Sequence, residues 1–315
     1  MISLRDIDAA RDRILGIAMR TPLIRLPGSD LPAEIWLKLE NLQPTGSFKI
    51  RGAANAIRSA GRAAISRGIL TCSTGNMAQA VALMARVEGV PATVVVPDHV
   101  PDNKVEAVER LGGRVVKVSY DRWWQTLEEG RFEGIEGHFV HPVLDDFVMA
   151  GNGTIGRELV QELEAIDCVL VPWGGGGLTT GLASALRQLS PTTRVITVEP
   201  TPAAPMAAAF AAGRPVDIEY RPSFVEGAGG QALLLPMWER ARALIADACA
   251  ITPEQTAAAI RMLAERVRVI AEGAGALALA AALAGRCGGR VVCVVSGGNI
   301  GNDRLASLLL GKIPT

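Results

Sequence analysis

Lys49 closes the stretch Asn41-Leu42-Gln43-Pro44-Thr45-Gly46-Ser47-Phe48-Lys49, a turn shaped by Pro44 and Gly46 with Phe48 and Ile50 flanking the amine. Partial desolvation lowers an ammonium pKa and frees the amine as a nucleophile for a carbonyl carbon, the requirement for a Schiff base. A second candidate is Trp173-Gly174-Gly175-Gly176-Gly177, followed by a helical pattern. Consecutive glycines cost backbone entropy, and what they offer in return is bare N–H groups that converge on an anion at a helix N-terminus. Their spacing fits neither GxGxxG nor GxxxxGK[ST], so a phosphate held here need not belong to NAD or ATP. Ser73-Thr74-Gly75-Asn76 heads another helical stretch. It serves as an N-cap and, through the same N–H groups and hydroxyls, as a cradle for a carboxylate. Ser296-Gly297-Gly298-Asn299 again permits close backbone approach. An activatable amine, a phosphate cradle and polar loops are what a single cofactor with a carbonyl and a phosphate needs together.

Three other patterns carry less. Gly273-Ala274-Gly275-Ala276-Leu277-Ala278 fits GxGxxA, with Val267–Ala271 as a possible preceding strand, but the acid expected some 20 residues later is missing. The run instead continues an amphipathic stretch from Pro253 and reads as a buried helix, too short to span a bilayer. His138 and His141 are spaced HxxH, which on a strand places them on opposite faces, so structural or surface roles are expected. Ser47 with Lys49 could form a Ser–Lys hydrolase pair, but that reading leaves the glycine loop unexplained.

The elements that must position these loops follow from period and punctuation. Apolar, β-branched runs predict strands at Ile35–Glu40, Gly68–Ser73, Ala92–Val96, Arg114–Val118, Cys168–Pro172, Arg194–Glu199 and Val291–Val295. Helical patterns lie at Met77–Glu88, Asn103–Leu111, Gly153–Leu163, Gly177–Leu189 and Pro253–Arg268, with an Ala-rich helix around Ala203–Ala212. Wholly apolar strands alternating with helices indicate an α/β chain with parallel sheets covered on both faces. Ligands in such folds gather where loops leave the carboxyl ends of strands, and all four candidate loops do so. Two batches of βα units predict two lobes, residues 1–50 with 147–315 as the larger and 51–146 as the smaller. Glycines near 46–52 and 151–156 are candidate hinges between them.

Composition narrows the function. Lys plus Arg and Asp plus Glu both number 32 in 315 residues, which removes any global electrostatic argument for nucleic acid or an anionic membrane. The N-terminal segment has neither signal- nor transit-peptide character. Five cysteines without a CxxC, three of them (Cys72, Cys168, Cys293) in strand-like runs, read as buried thiols in a reducing, cytoplasmic setting.

Taken in order, Thr45-Gly46-Ser47-Phe48-Lys49-Ile50-Arg51-Gly52-Ala53, Ser73-Thr74-Gly75-Asn76, Gly174-Gly175-Gly176-Gly177-Leu178 and Ser296-Gly297-Gly298-Asn299 resemble the motifs of fold-type II pyridoxal-phosphate enzymes, specifically serine/threonine dehydratases and serine racemases. His141-Pro142, Ala150-Gly151-Asn152-Gly153-Thr154-Ile155-Gly156 and Val198-Glu199-Pro200 fit as well, so the likeness spans nearly the whole chain. It implies a tryptophan-synthase-β-like architecture and pyridoxal 5'-phosphate as cofactor. Lys49 would carry the cofactor and act as base at Cα, with Phe48 beside it. Gly174, Gly175, Gly176, Gly177 and Leu178 would bind its phosphate, Asn76 its ring hydroxyl and Ser296 its pyridine nitrogen. Ser47, Ser73, Thr74 and Gly75 would contact a small amino-acid substrate, with Thr74 also a catalytic candidate on the face opposite the lysine. A neutral hydroxyl at the ring nitrogen makes a weaker electron sink than a carboxylate would, which favours β-elimination.

Ile50-Arg51-Gly52 is similar to the dehydratase branch, and a chain ending at Thr315 to its short, catabolic type. The expected reaction turns L-threonine or L-serine into a 2-oxo acid and ammonia, with racemisation or β-replacement as the alternative and a homodimer as the expected assembly. Departures from the pattern are Thr74 where racemases carry Ser and Met77 where the family often has His. Pro205 stands where some relatives have a cation-binding Asp, so no metal is expected beside Glu199.

Overall fold

The computed structural model describes residues 1–314 and contains two sheets. Ten strands occur in chain order among those residues: β1 (Leu23–Arg25), β2 (Glu34–Lys38), β3 (Ile69–Cys72), β4 (Ala92–Pro97), β5 (Arg114–Val118), β6 (His138–Phe139), β7 (Cys168–Pro172), β8 (Arg194–Pro200), β9 (Asp247–Ile251) and β10 (Arg290–Val294). The larger sheet has the order β1-β2-β10-β7-β8-β9, parallel except for β1 against β2, and the smaller is β5-β4-β3-β6, parallel throughout.

The apolar runs are continuous because both faces of the larger sheet are covered. Cys168 and Leu170 of β7 join one core with Cys293 of β10 and the helix Gly273–Leu283, buried from Gly273 to Ala282. Val169 and Val171 face the opposite core with Val292, Val294 and the helix Gly177–Leu189. β1, β6 and β9 were not expected, being very short edge strands or, in β9, a run (Asp247-Ala-Cys-Ala-Ile251) poor in β-branched residues.

Three expectations need correcting. Lys49 does not sit in a loop; it is the first residue of a helix, Lys49–Ile65, interrupted at Gly61 where φ is +80°. The glycines near 46–52 and 151–156 are not hinges as a group. Gly52, Gly151, Gly153 and Gly156 lie inside the helices Lys49–Ile65 and Asp146–Glu162, where they let backbones touch. A Cβ at Gly151 would run into the Arg51 carbonyl, and one at Gly181 of the next helix into the Met149 carbonyl oxygen. Cys168 is not a free thiol but is paired with Cys287 in a disulfide with a Cα–Cα distance of 6.6 Å; Cys72, Cys249 and Cys293 are free and buried. Sequence alone could not show this, because the two cysteines are 119 positions apart and meet only after the chain folds back.

Beneath the lysine helix lies a buried ionic cluster. Arg51, 1% exposed, donates from Nε and Nη2 to the two oxygens of Glu40 at 2.8 Å each. Its Nη1 reaches Glu158 at 2.6 Å and Thr154 Oγ1 at 3.0 Å, and Nη2 reaches Glu158 at 2.9 Å. Lys38, fully buried on β2, approaches Glu158 at 2.7 Å and donates to the Thr21 carbonyl at 2.8 Å. Burial alone would raise the Glu40 carboxyl, but the Arg51 charge and hydrogen bonds outweigh it and hold the group below the usual carboxylate range. The cluster ties the lysine helix to the end of β2 and to the helix Asp146–Glu162.

Replacing one partner strands the others. Arg51→Met is expected to cost about 3–5 kcal/mol of unfolding free energy, because Glu40 keeps a buried charge without its bidentate guanidinium, with only the Lys38 charge left to oppose it. Urea denaturation measures it, and a loss below about 1 kcal/mol would contradict the account. Gly181→Ala is expected to cost about 1–3 kcal/mol by overpacking the helix crossing, read from the same curves. Since Glu40 is held ionised by the fold, its contribution is present at neutral pH and is lost as pH falls through its depressed folded value.

Candidate active site

Strand order brings the candidate loops together. β2, β10 and β7 are neighbours, so the lysine segment, the Ser296 loop and the glycine loop leave adjacent carboxyl ends. β3, inside the smaller sheet, delivers Ser73 to Asn76 from across the cleft. The result is a cavity of about 490 Å³ lined by Phe48, Lys49, Ser73, Thr74, Gly75, Asn76, Met77, Gly174, Gly175, Glu272 and Ser296, among others.

Lys49 sits on the cavity wall with Nζ 5.2 Å from the centre of the Phe48 ring. Desolvation lowers its pKa to about 8, with the Glu272 carboxylate opposing the shift. The loop after β7 is rigid by packing rather than loose. Gly176 adopts φ +90° and lies against the Trp173 indole, so a side chain there would meet the ring. The backbone N–H groups of Gly175, Gly176, Gly177 and Leu178 find no acceptor among the described residues, and they open the helix Gly177–Leu189. Unsatisfied amides at the positive end of a helix fit a phosphate. Buried oxygens without partners at Thr179, Thr180 and Asn152 lie on the same and the neighbouring helix.

Not every expected contact reaches the cavity. Ser47 is fully buried in a bridge to Gly297, its hydroxyl has no hydrogen-bond partner, and it is not among the residues that line the cavity. Gly176, Gly177 and Leu178 also stand behind the lining; what they have to offer is backbone N–H. His141 behaves as a structural residue: its Nδ1 accepts from Val143 N at 3.0 Å and Leu144 N at 2.9 Å, and burial lowers its pKa. Glu199, fully buried at the end of β8, accepts from Met206 N at 3.1 Å and Ala207 N at 2.9 Å, so a helix start faces it; burial raises its pKa to about 8.

Sequence reading missed other lining residues. Glu272 immediately precedes the GxGxxA run, which forms the expected buried helix, and a π-helical turn at Leu263–Val267 lies before it. Glu226-Gly227-Ala228-Gly229-Gly230 was passed over, although its glycine density was a signal. It folds against the first glycine loop, with Gly229 N donating to the Trp173 carbonyl at 2.6 Å. At the mouth, Lys104 of the helix Asp102–Glu109 donates to Glu226 at 2.6 Å, and Arg304 binds the other oxygen at 2.9 Å.

Comparison with known proteins agrees with this geometry. Residues 14–297 match the family described as "Pyridoxal-phosphate dependent enzyme". An L-threonine ammonia-lyase of Geobacter sulfurreducens is 40% identical over 93% of this chain and 75% of its own length. The structure of maize serine racemase superposes with a TM-score of 0.88 at 30% identity, covering 98% of this chain and 97% of that one. The processed threonine deaminase isoform 2 of Solanum lycopersicum gives 0.86 at 30% identity, covering 98% and 94%.

The lowered pKa of Lys49 has a direct consequence. At pH 7 about one amine in ten is neutral, against fewer than about one in a thousand for an ordinary lysine. Trapping of an aldehyde probe with borohydride should therefore rise with half-maximum near pH 8 and be lost in Lys49→Ala. A midpoint near that of exposed lysine would contradict the burial argument.

Proposed function

Since this chain belongs to the pyridoxal-phosphate dependent enzymes, we propose that it eliminates water from a small β-hydroxy amino acid such as L-threonine or L-serine, releasing a 2-oxo acid and ammonia. It is a carbon–nitrogen lyase with pyridoxal 5'-phosphate as cofactor. The observation that carries the reading is the desolvated Lys49 amine in one cavity with an amide-lined anion site, in a chain alike over nearly its full length to L-threonine ammonia-lyases.

The bound cofactor supplies an electron sink that makes the substrate Cα–H acidic. The protein supplies placement and proton handling. Amides of Gly174 to Leu178 would hold the phosphate, Asn76 would meet the ring oxygen and Ser296 the ring nitrogen. Ser73, Thr74 and Gly75, at the start of the helix Asn76–Glu88, hold the substrate carboxylate where helix N–H groups are free. Lys49 takes the Cα proton; a pKa near neutrality lets it both accept and return one. A neutral hydroxyl such as that of Ser296 would not enforce protonation of the ring nitrogen as a carboxylate would, which favours loss of a β-leaving group. Residues 1–50 with 147–315 form the larger lobe and 51–146 the smaller, in a cytoplasmic homodimer. No helix among the described residues is long and apolar enough to cross a membrane.

The test is 2-oxo acid release from cofactor-loaded protein offered L- and D-serine, both threonine diastereomers, hydroxyaspartate and phenylserine. Release from L-threonine or L-serine is expected, falling by about 10²–10⁴-fold or more in Lys49→Ala. Silence across the panel would overturn the reading, and recovery of inverted serine without 2-oxo acid would replace it by racemisation.

A further inference from the structure

Asn76 is held by partners on two other loops. Asn299 Nδ2 donates to Asn76 Oδ1 at 2.7 Å and to the Thr45 carbonyl at 2.8 Å, so the Asn76 oxygen is used as an acceptor. Asn76 Nδ2 in turn donates to Glu272 Oε1 at 2.7 Å. The amide cannot flip without setting donor against donor at Asn299 and acceptor against acceptor at Glu272. One N–H of Asn76 is left over, on a side chain that lines the cavity. That free N–H is a donor suited to an acceptor oxygen.

Glu272 has no competing structural duty. It occupies the N-cap position of the helix Gly273–Leu283, yet its side chain makes no capping hydrogen bond. It turns into the cavity, where Gly297 lies so close that a side chain there would collide with the carboxylate. Its own N–H donates to the Gly297 carbonyl at 3.1 Å, which registers it to the Ser296 loop. The charged groups around it are Lys49 from the lysine helix, Lys104 from the smaller sheet's side and Glu226 from the second glycine-rich loop. Burial dominates them and raises the Glu272 carboxyl to about 7, so its charge changes within the working pH range.

We propose that Glu272 is a positioning residue for the cofactor, fixing the Asn76 amide so that its single free N–H meets the ring oxygen, and making that contact respond to the protonation of the Glu272 carboxyl. This rests on the cofactor placement given above. When Glu272 is ionised it accepts strongly from Asn76 but puts negative charge two hydrogen bonds away from the ring oxygen, through the Asn76 amide; when protonated it removes that charge. The electronic environment of the ring therefore changes as pH crosses the Glu272 value.

The experiment uses holoenzyme and two variants, Glu272→Gln and Glu272→Ala. The readouts are the cofactor dissociation constant and the pH titration of the cofactor absorption band from pH 5.5 to 9. Gln keeps an acceptor for Asn76 but cannot ionise, so cofactor affinity should stay within about threefold of the parent while the spectral transition near pH 7 disappears. Ala removes the acceptor, and the dissociation constant should rise about tenfold. A Glu272→Gln titration that superimposes on the parent, or Glu272→Ala affinity equal to the parent, overturns the inference. A parent protein that takes up no cofactor at all would overturn the functional reading instead.

Discussion

Arg51 is the point on which the active-site lobe is hung. Two residues after Lys49, it enters the core with a guanidinium that no water can reach and finds carboxylates on two different elements, Glu40 after β2 and Glu158 on the helix Asp146–Glu162. Burying such charges is expensive, and their mutual attraction offsets that expense only in one geometry. That intolerance is useful here. A hydrophobic contact would let the lysine helix slide, whereas bidentate pairing fixes both its register and its rotation, and with them the direction of the Lys49 amine. Lys38 extends the cluster onto β2, so the strand and the helix on either side of the lysine turn are locked to the same carboxylate.

From that anchor the rest of the site follows by adjacency. β2, β10 and β7 are consecutive in the sheet, and their outgoing loops carry the amine, the Ser296 hydroxyl and the glycine cradle within one cavity. The smaller sheet contributes a single central strand end, and two polar links cross the cleft to it. One is the chain Thr45–Asn299–Asn76–Glu272; the other is Lys104 with Glu226 and Arg304. Both close on groups that line the cavity, so the geometry of the site depends on how the two sheets approach.

Burial acts in opposite directions on the two ionisable groups nearest the chemistry. It lowers Lys49 to about 8 and raises Glu272 to about 7, each disfavouring its charged form. Two groups of opposite type thus come close to neutrality by the same physical cause. This is the condition under which a lysine can both give and take a proton, and under which a neighbouring carboxyl can report its state to the ring.

Local patterns in the sequence determined much of this. The central strand Cys168–Pro172 is legible to the residue, because an apolar, β-branched run buried on both faces reads as a strand, and the edge strand Arg114–Val118 is legible from its β-branched run between turn residues. The glycine run and Lys49 are legible because their chemistry is local: bare amides before a helix, and an amine among apolar neighbours. What lay beyond local pattern is what depends on distant partners. Only the folded chain shows that Ser47 is buried in a bridge to Gly297, and that glycines at 151 and 181 are contact points between helices. It alone pairs Cys168 with Cys287 and sets Glu272 against Asn76 across 196 residues. A carboxylate in an alanine-rich run carries no mark of its partner, because a hydrogen bond is decided by distance in space, and that distance exists only once the sheets have formed.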